Sequence, residues 1–357
     1  MHKSQSKYLA FAVLLSACTG GAPHINVVCE ENSVGNCIIK WETSPLIAGD
    51  VKVYASTSPN HVSEETEVAS APIADQHLTV VTANPRKRYY YTLLFNDKYR
   101  VKVASRNVNI PGIQNFRDMG GYHSYSTRKE IRWGMLYRSG QLETAGQHAF
   151  RKLKNLGIKT VIDLRTPLEA ASTPTLPDHF NVVHIPLPTI EVEPLLKGIQ
   201  QKSIRSDTVY RIVERMERTL VMNSTDEFRR LFDVLLNEDN YPLVIHCTTG
   251  IGRTGLASAL ILFALGVDSD MVMDDYRLSN IYYNIPRASR YVYSLPVRSQ
   301  EAVTTLYSAR ENYLNAAKNE IESHYGNIDT YLESGVGLSK EEIKKLQHLL
   351  LTDKNRL

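Results

Sequence analysis

The chain has 357 residues, of which 41 are basic and 38 acidic, for a formal charge of +3. That length exceeds one typical core and calls for more than one domain. A balance this close to neutral gives no case for a nucleic-acid partner, and the eleven histidines are scattered without ligand spacing, so neither a metal nor a cofactor is expected.

The chain opens with Lys3 and Lys7, a short apolar run over residues 8–15, and then Leu15-Ser16-Ala17-Cys18. The run is too short to cross a bilayer, and basic, apolar and small residues in that order are the signature of an export signal. Residues 1–17 are expected to be a bacterial lipoprotein signal peptide, with Cys18 left as the lipidated N-terminus; cleavage near Ala17 by an ordinary signal peptidase would export the chain equally. The mature protein is then extracytoplasmic, held by its lipid at the periplasmic or cell-surface face of a bacterial membrane.

Residues 18–107 read as a small all-β domain. Segments 37–41, 51–55, 78–81 and 89–95 are β-branched or aromatic and are separated by turn residues. Their spacing, with Trp41 early and the tyrosine-rich strand late, resembles a fibronectin type III or immunoglobulin-like sandwich. Cys29 and Cys37 flank a polar turn with Gly35-Asn36, and in an oxidising compartment they are a possible disulfide. The domain would serve as a spacer, an adhesion module or a folding appendage.

Residues 108–357 alternate strand and helix, so an α/β domain with a central sheet flanked by helices is expected. Helices are predicted over 143–156, 209–220, 226–236, 299–323 and 339–351, the last with a Ser339/Glu342 capping box, and a strand over 158–163. The most informative segment lies between an apolar strand at 242–245 and an apolar helix at 256–265. It reads His246-Cys247-Thr248-Thr249-Gly250-Ile251-Gly252-Arg253-Thr254-Gly255. A cysteine at a strand end, below a helix N-terminus, meets free backbone N–H groups and the positive end of the helix dipole. The thiolate is the nucleophilic form of cysteine, and positive surroundings favour it. Cys247 is thus placed to attack phosphorus, with Thr248, Thr249, Gly250, Ile251 and Gly252 wrapping the phosphate oxygens in main-chain amides. Gly250 and Gly252 would permit the dihedrals and close approach required. Arg253 offers a planar fork that matches two phosphate oxygens. The Thr254 hydroxyl could donate to the sulfur when the thiolate leaves, and His246 could orient the loop or be a hydrogen-bonded strand-end residue.

This loop resembles that of the cysteine-dependent protein tyrosine phosphatase superfamily. Segments 115–122, 134–140, 160–165, 275–280 and 325–332 come in an order similar to the bacterial tyrosine phosphatase family of tyrosine/serine dual-specificity type. That resemblance implies a phosphomonoester hydrolase, a protein-tyrosine phosphatase acting through a cysteinyl-phosphate without a cofactor. Its substrate would be a phosphotyrosine protein or a small phosphomonoester. Phosphatase action on inositol phosphates or phosphoinositides is the alternative, and a non-catalytic phospho-ligand binder or adhesion lipoprotein a third. One departure stands out. The bacterial family commonly carries Lys-Asp before the loop arginine, and this chain has Ile251-Gly252.

The proton donor therefore has to come from elsewhere. Asp163 is the first candidate, because it ends a strand expected at the ligand crevice; a structural pairing with Arg165 or Arg138 is its other reading. Glu191 and Glu193 come after a strand and could lie on a closing loop, and Asp207 could reach the site only from a folded-back lid. Asn115, Arg117, Asp118 and Arg138 read as scaffold around a Gly120-Gly121 turn.

Overall fold

Alternating inward and outward residues build the first part of the chain. This computed structural model describes residues 22–353, apart from 33, 85, 86 and 289. The expected signal segment and Cys18 lie outside the described residues. Strands β1 (His24–Glu31), β2 (Cys37–Ser44), β3 (Asp50–Ser56), β4 (Ala69–Pro72), β5 (His77–Val80), β6 (Tyr90–Phe95) and β7 (Tyr99–Ala104) form two antiparallel sheets, ordered β1-β2-β5 and β4-β3-β6-β7. Ile39 and Trp41 of one sheet and Val51, Val53, Leu93 and Phe95 of the other bury into a single cluster. The Trp41 indole N–H, unable to reach water there, donates to the Ile73 carbonyl at 2.8 Å.

Cys29 and Cys37 also enter this cluster, but as free thiols, so the possible disulfide is not formed. The strand register explains why: Cys29 lies opposite Ile39 and Cys37 opposite Glu31, so the two are diagonal neighbours rather than a facing pair. A buried seam joins the β-domain to the C-terminal domain. Arg88 pairs with Asp118 at 2.8 Å and donates to the Tyr137 hydroxyl at 3.2 Å, while Trp133 packs into the β-domain cluster.

The second part is built around strands that are apolar on both faces. Short strands β8 (Arg117–Asp118), β9 (His123–Ser124) and β10 (Lys129–Ile131) lead to β11 (Leu136–Ser139). Then come α1 (Gln147–Asn155), β12 (Thr160–Asp163), α2 (Pro167–Ala171), β13 (Asn181–His184), α3 (Val192–Gln200), α4 (Ser206–Asn223), α5 (Thr225–Leu235), β14 (Leu243–His246), α6 (Gly252–Ala264) and α7 (Ser269–Arg277). The central sheet has the order β13-β12-β14-β11-β8, parallel except for β8. Leu243 and Ile245 of β14 face one apolar cluster and Val244 the other, which is why this strand carries no polar alternation. Ser139 of β11 and Asp163 of β12 both stand beside His246, so three carboxyl ends meet where the chain turns from β14 into α6.

Two helical expectations change. The helix expected over 143–156 begins only at Gln147. The single helix expected over 299–323 is two, Val297–Leu306 and Glu311–Tyr325. Between them the Asn280 side chain donates to the Ala309 carbonyl at 2.9 Å and accepts its N–H at 2.7 Å, replacing the helical bonds that would have run through. The Ser339/Glu342 capping box starts the helix Lys340–Leu350 as its residues predict.

Candidate active site

Cys247 is the first residue after the central strand, and only 2 % of it is exposed. Its sulfur accepts the Gly250 N–H at 3.3 Å. Gly250 has a φ of +72°, and a Cβ there would stand 2.5 Å from the Ser139 carbonyl, so only glycine lets the loop close under the cysteine. Gly252 has no such dihedral; a Cβ there would instead crowd the Glu217 carboxyl. Helix α6 begins at Gly252 without any side-chain cap, which leaves its first N–H groups facing the same space as the sulfur.

Arg253, in the first turn of α6, reaches back across the loop. Its guanidinium is held in a fork by Glu169 of α2, with Nη1 and Nη2 each 2.7 Å from a carboxylate oxygen. The Thr248 hydroxyl donates to the same carboxylate at 2.6 Å. These bonds leave Arg253 Nε–H without a protein partner among the described residues. Burial raises the Glu169 carboxyl, but the bonds from Arg253 and Thr248 outweigh it and hold it at about 2, so it is ionised throughout the physiological range.

A buried network supports the loop from behind. Arg138 donates to the Gly250 carbonyl at 2.9 Å and to Asp275 at 2.5 Å. Arg117 donates to Asp275 at 3.1 Å, and also to Asn115 Oδ1, while Asn115 Nδ2 donates to the Thr249 carbonyl at 3.2 Å. Burial raises the Asp275 carboxyl, but the two guanidinium charges override it and hold it well below the usual carboxylate range. Asp118 accepts the N–H groups of Gly120 and Gly134, each at 2.7 Å. Of the four scaffold residues read from the sequence, Asn115 and Arg138 thus bond the loop and Arg117 bonds Asn115, whereas Asp118 ties the Gly120 and Gly134 backbones to Arg88; Asp275 is the shared anchor that sequence reasoning did not single out.

Asp163 is placed where the sequence suggested, at the end of β12, but it does not do what was expected of it. It is fully buried, and the cleft above Cys247 does not reach it. Its oxygens accept Arg165 Nε at 2.9 Å, Nη2 at 2.8 Å and the Arg165 backbone N–H at 3.0 Å. Burial raises its carboxyl, yet Arg165 and its bonds prevail and the net shift is downward, so at neutral pH it has no proton to give. The proton-donor reading of Asp163 is therefore replaced by the structural one. Glu191 and Glu193 are exposed and stand off the cleft, and exposed Asp207 pairs with Arg211 at 3.0 Å. Thr254 is buried and its hydroxyl finds no partner among the described residues, so the expected bond to the sulfur is not made. His246 is buried behind the loop with Nε2 3.3 Å from Glu143, and burial lowers its pKa. Glu143, Asp163 and His246 lie close enough to share a metal, but the guanidinium of Arg165, 2.7 Å from Glu143, already supplies the positive charge there.

The cleft above Cys247 measures about 610 Å3. Tyr283 and Tyr307 form part of its wall, with ring centroids 6.0 Å apart at 31°. Glu169 and Glu217 line it too, and sequence reasoning missed both. Glu217 left a signal: it falls on the apolar stripe Val209, Val213, Leu220 of α4, where a charge is out of place.

The chain is similar to known phosphatases. The profile described as "Tyrosine phosphatase family" matches residues 108–352. A Cupriavidus necator protein named as a tyrosine-protein phosphatase is 27 % identical, covering 65 % of this chain and 85 % of its own. The triple specificity protein phosphatase PtpB of Mycobacterium tuberculosis is also 27 % identical, covering 68 % of this chain and 98 % of its own. Among solved structures, P. aeruginosa TpbA aligns at 17 % identity and a TM-score of 0.24, covering 50 % of this chain and 89 % of that one.

Proposed function

Since the chain belongs to the tyrosine phosphatase family, we propose that it hydrolyses phosphotyrosine in proteins by way of a cysteinyl-phosphate on Cys247. The thiolate attacks phosphorus, the S–P bond forms, and the P–O bond to the tyrosyl oxygen breaks. Water then attacks the same phosphorus, inorganic phosphate leaves, and the thiolate is restored. Negative charge on the equatorial oxygens is met by the loop N–H groups and by Arg253. These donors are set before the substrate arrives, because Glu169 and Thr248 fix the guanidinium and Arg138 fixes the Gly250 carbonyl.

The observation that carries the substrate class is the cleft itself. Cys247 lies at its base, tyrosine rings form part of its wall, and among the described residues that line it Arg253 is the one cation. An aryl phosphate suits that setting: one dianion at the floor, an apolar ring against Tyr283 and Tyr307. An inositol polyphosphate would bring several further dianions with no described guanidinium or ammonium to receive them. Phosphate release from phosphotyrosine peptides, phosphoserine peptides, inositol hexakisphosphate and phosphoinositides tests the reading. Preference for phosphotyrosine supports it, preference for an inositol phosphate replaces it, and no turnover on any substrate would favour a phospho-ligand binder.

Residues 1–17 and Cys18 are read as the lipoprotein signal and lipid site, which would place this activity outside the cytoplasm; among the described residues no helix is long and apolar enough to cross a membrane. Radiolabelled palmitate incorporation that is lost in Cys18→Ala is the expected result. The N-terminal domain is read as a fibronectin type III or immunoglobulin-like module, a reading supported by sheets of three and four strands around one core.

A further inference from the structure

Glu217 projects from α4 into the cleft, and 2 % of it is exposed. No hydrogen bond or ion pair reaches its carboxyl among the described residues, and the nearby cation, Arg253, is already committed to Glu169. A buried carboxyl without partners costs stability, so it needs a reason beyond folding. Gly252 gives its position. A Cβ on Gly252 would lie 3.1 Å from Glu217 Oε1, so the carboxyl fills the space left by a missing side chain immediately before Arg253. That space belongs to the phosphate loop: Gly252, Arg253, Cys247 and Glu217 line one cleft.

Burial pushes the Glu217 carboxyl up to about 8, and the Arg253 charge draws it back only in part. The other ionisable groups that face it are Tyr276 of α7 and Tyr313 of the helix Glu311–Tyr325; burial raises both phenols, so both are neutral. Glu217 therefore carries a proton at neutral pH. Glu169 does not, and neither does Asp163.

We propose that Glu217 is the catalytic acid and base of this site, protonating the departing tyrosyl oxygen in the first step and deprotonating the attacking water in the second. The assignment rests on Cys247 being the nucleophile. In the first step the P–O electron pair goes to the tyrosyl oxygen, which takes the Glu217 proton as the S–P bond forms. In the second the Glu217 carboxylate takes a proton from water, the water oxygen bonds to phosphorus, and the S–P pair returns to sulfur. Thiolate and protonated glutamate are both regenerated, and no other reactant is required. The acid thus comes from a helix outside the loop, and the loop makes room for it with a glycine.

The test is Glu217→Gln, which keeps the shape of the side chain, assayed beside Cys247→Ser on p-nitrophenyl phosphate and on phenyl phosphate. p-Nitrophenolate leaves readily without a proton and phenolate does not. The variant should lose on the order of 10²- to 10⁴-fold in kcat/KM, which reports the first step alone, on phenyl phosphate and less than about 10-fold on p-nitrophenyl phosphate; kcat, which includes the shared second step, should fall on both. The fall in wild-type activity as pH rises through about 8 should vanish in the variant. Equal losses in kcat/KM on the two substrates, or an unchanged profile above pH 8, would overturn the assignment. An active Cys247→Ser enzyme would instead remove the nucleophile on which it rests, so the two failures are separable.

Discussion

Two glutamates face the same cleft and are held in opposite states. Glu169, on α2, is locked by Arg253, Thr248 and the Thr166 N–H, and its carboxyl is held at about 2. Glu217, on α4, lines the cleft beside Gly252 with no hydrogen bond or ion pair to its carboxyl among the described residues, and that carboxyl is raised to about 8. One residue type therefore supplies a fixed negative charge that orients the guanidinium and, a short distance away, a proton. Their chemistry is decided by what surrounds each carboxyl rather than by the residue itself.

The comparison has meaning only if both groups serve one reacting sulfur. Cys247→Ser should therefore lower phosphotyrosine-peptide turnover to below about 10⁻⁴ of wild type, read as phosphate release. The next largest effect concerns the support behind the loop. Asp275→Asn would leave Arg117 and Arg138 buried without their shared counter-charge and should destabilise the fold by about 3–5 kcal/mol in urea melts. Because the Asp275 carboxyl lies below its ordinary value in the fold, its stabilisation is complete above the usual carboxylate range and is lost only as pH falls well under it.

Glu217 should respond with the opposite sign. Its carboxyl is raised in the fold, so its neutral form is retained at a cost that grows as pH rises from about 4.5 towards about 8. Glu217→Gln removes that cost and should raise stability at pH 7 by up to about 3 kcal/mol while activity on phenyl phosphate falls. A stabilised, slower enzyme is the outcome that sharpens the contrast; a destabilised one would mean that the carboxyl has an unrecognised partner. The smallest effect is expected at Glu169. Glu169→Gln should keep the fold and lower kcat/KM by about 10- to 100-fold, because Arg253 loses its alignment and keeps its charge.

The phosphate loop was legible because its parts are contiguous. A strand, a cysteine, Gly250 in a dihedral that only glycine adopts easily, an arginine and a helix succeed one another within a few residues. The alternation that separates the two domains was equally local. What could not be read depended on partners distant in the chain. Asp163 sits where a proton donor could be placed, and the neighbour that disarms it, Arg165, was visible as an alternative but not as the outcome. Glu169 meets Arg253 only because β12 and β14 run side by side. Asn280 breaks a helix whose own residues give little sign of stopping. Cys29 and Cys37 show how a two-residue offset in strand register separates facing cysteines from diagonal ones. Glu217 was within reach of sequence reasoning, since a lone acid on the apolar stripe of α4 is a pattern fault, and the Gly252 that departs from the Lys-Asp of similar loops marks the space it fills.

The most direct measurement is acid quench of the full-length enzyme during turnover of a ³²P-labelled phosphotyrosine peptide, with subsequent mapping of the label. The account predicts label on the peptide that contains Cys247 and none in Cys247→Ser. Label on any other residue, or sustained turnover by the serine variant, would contradict it.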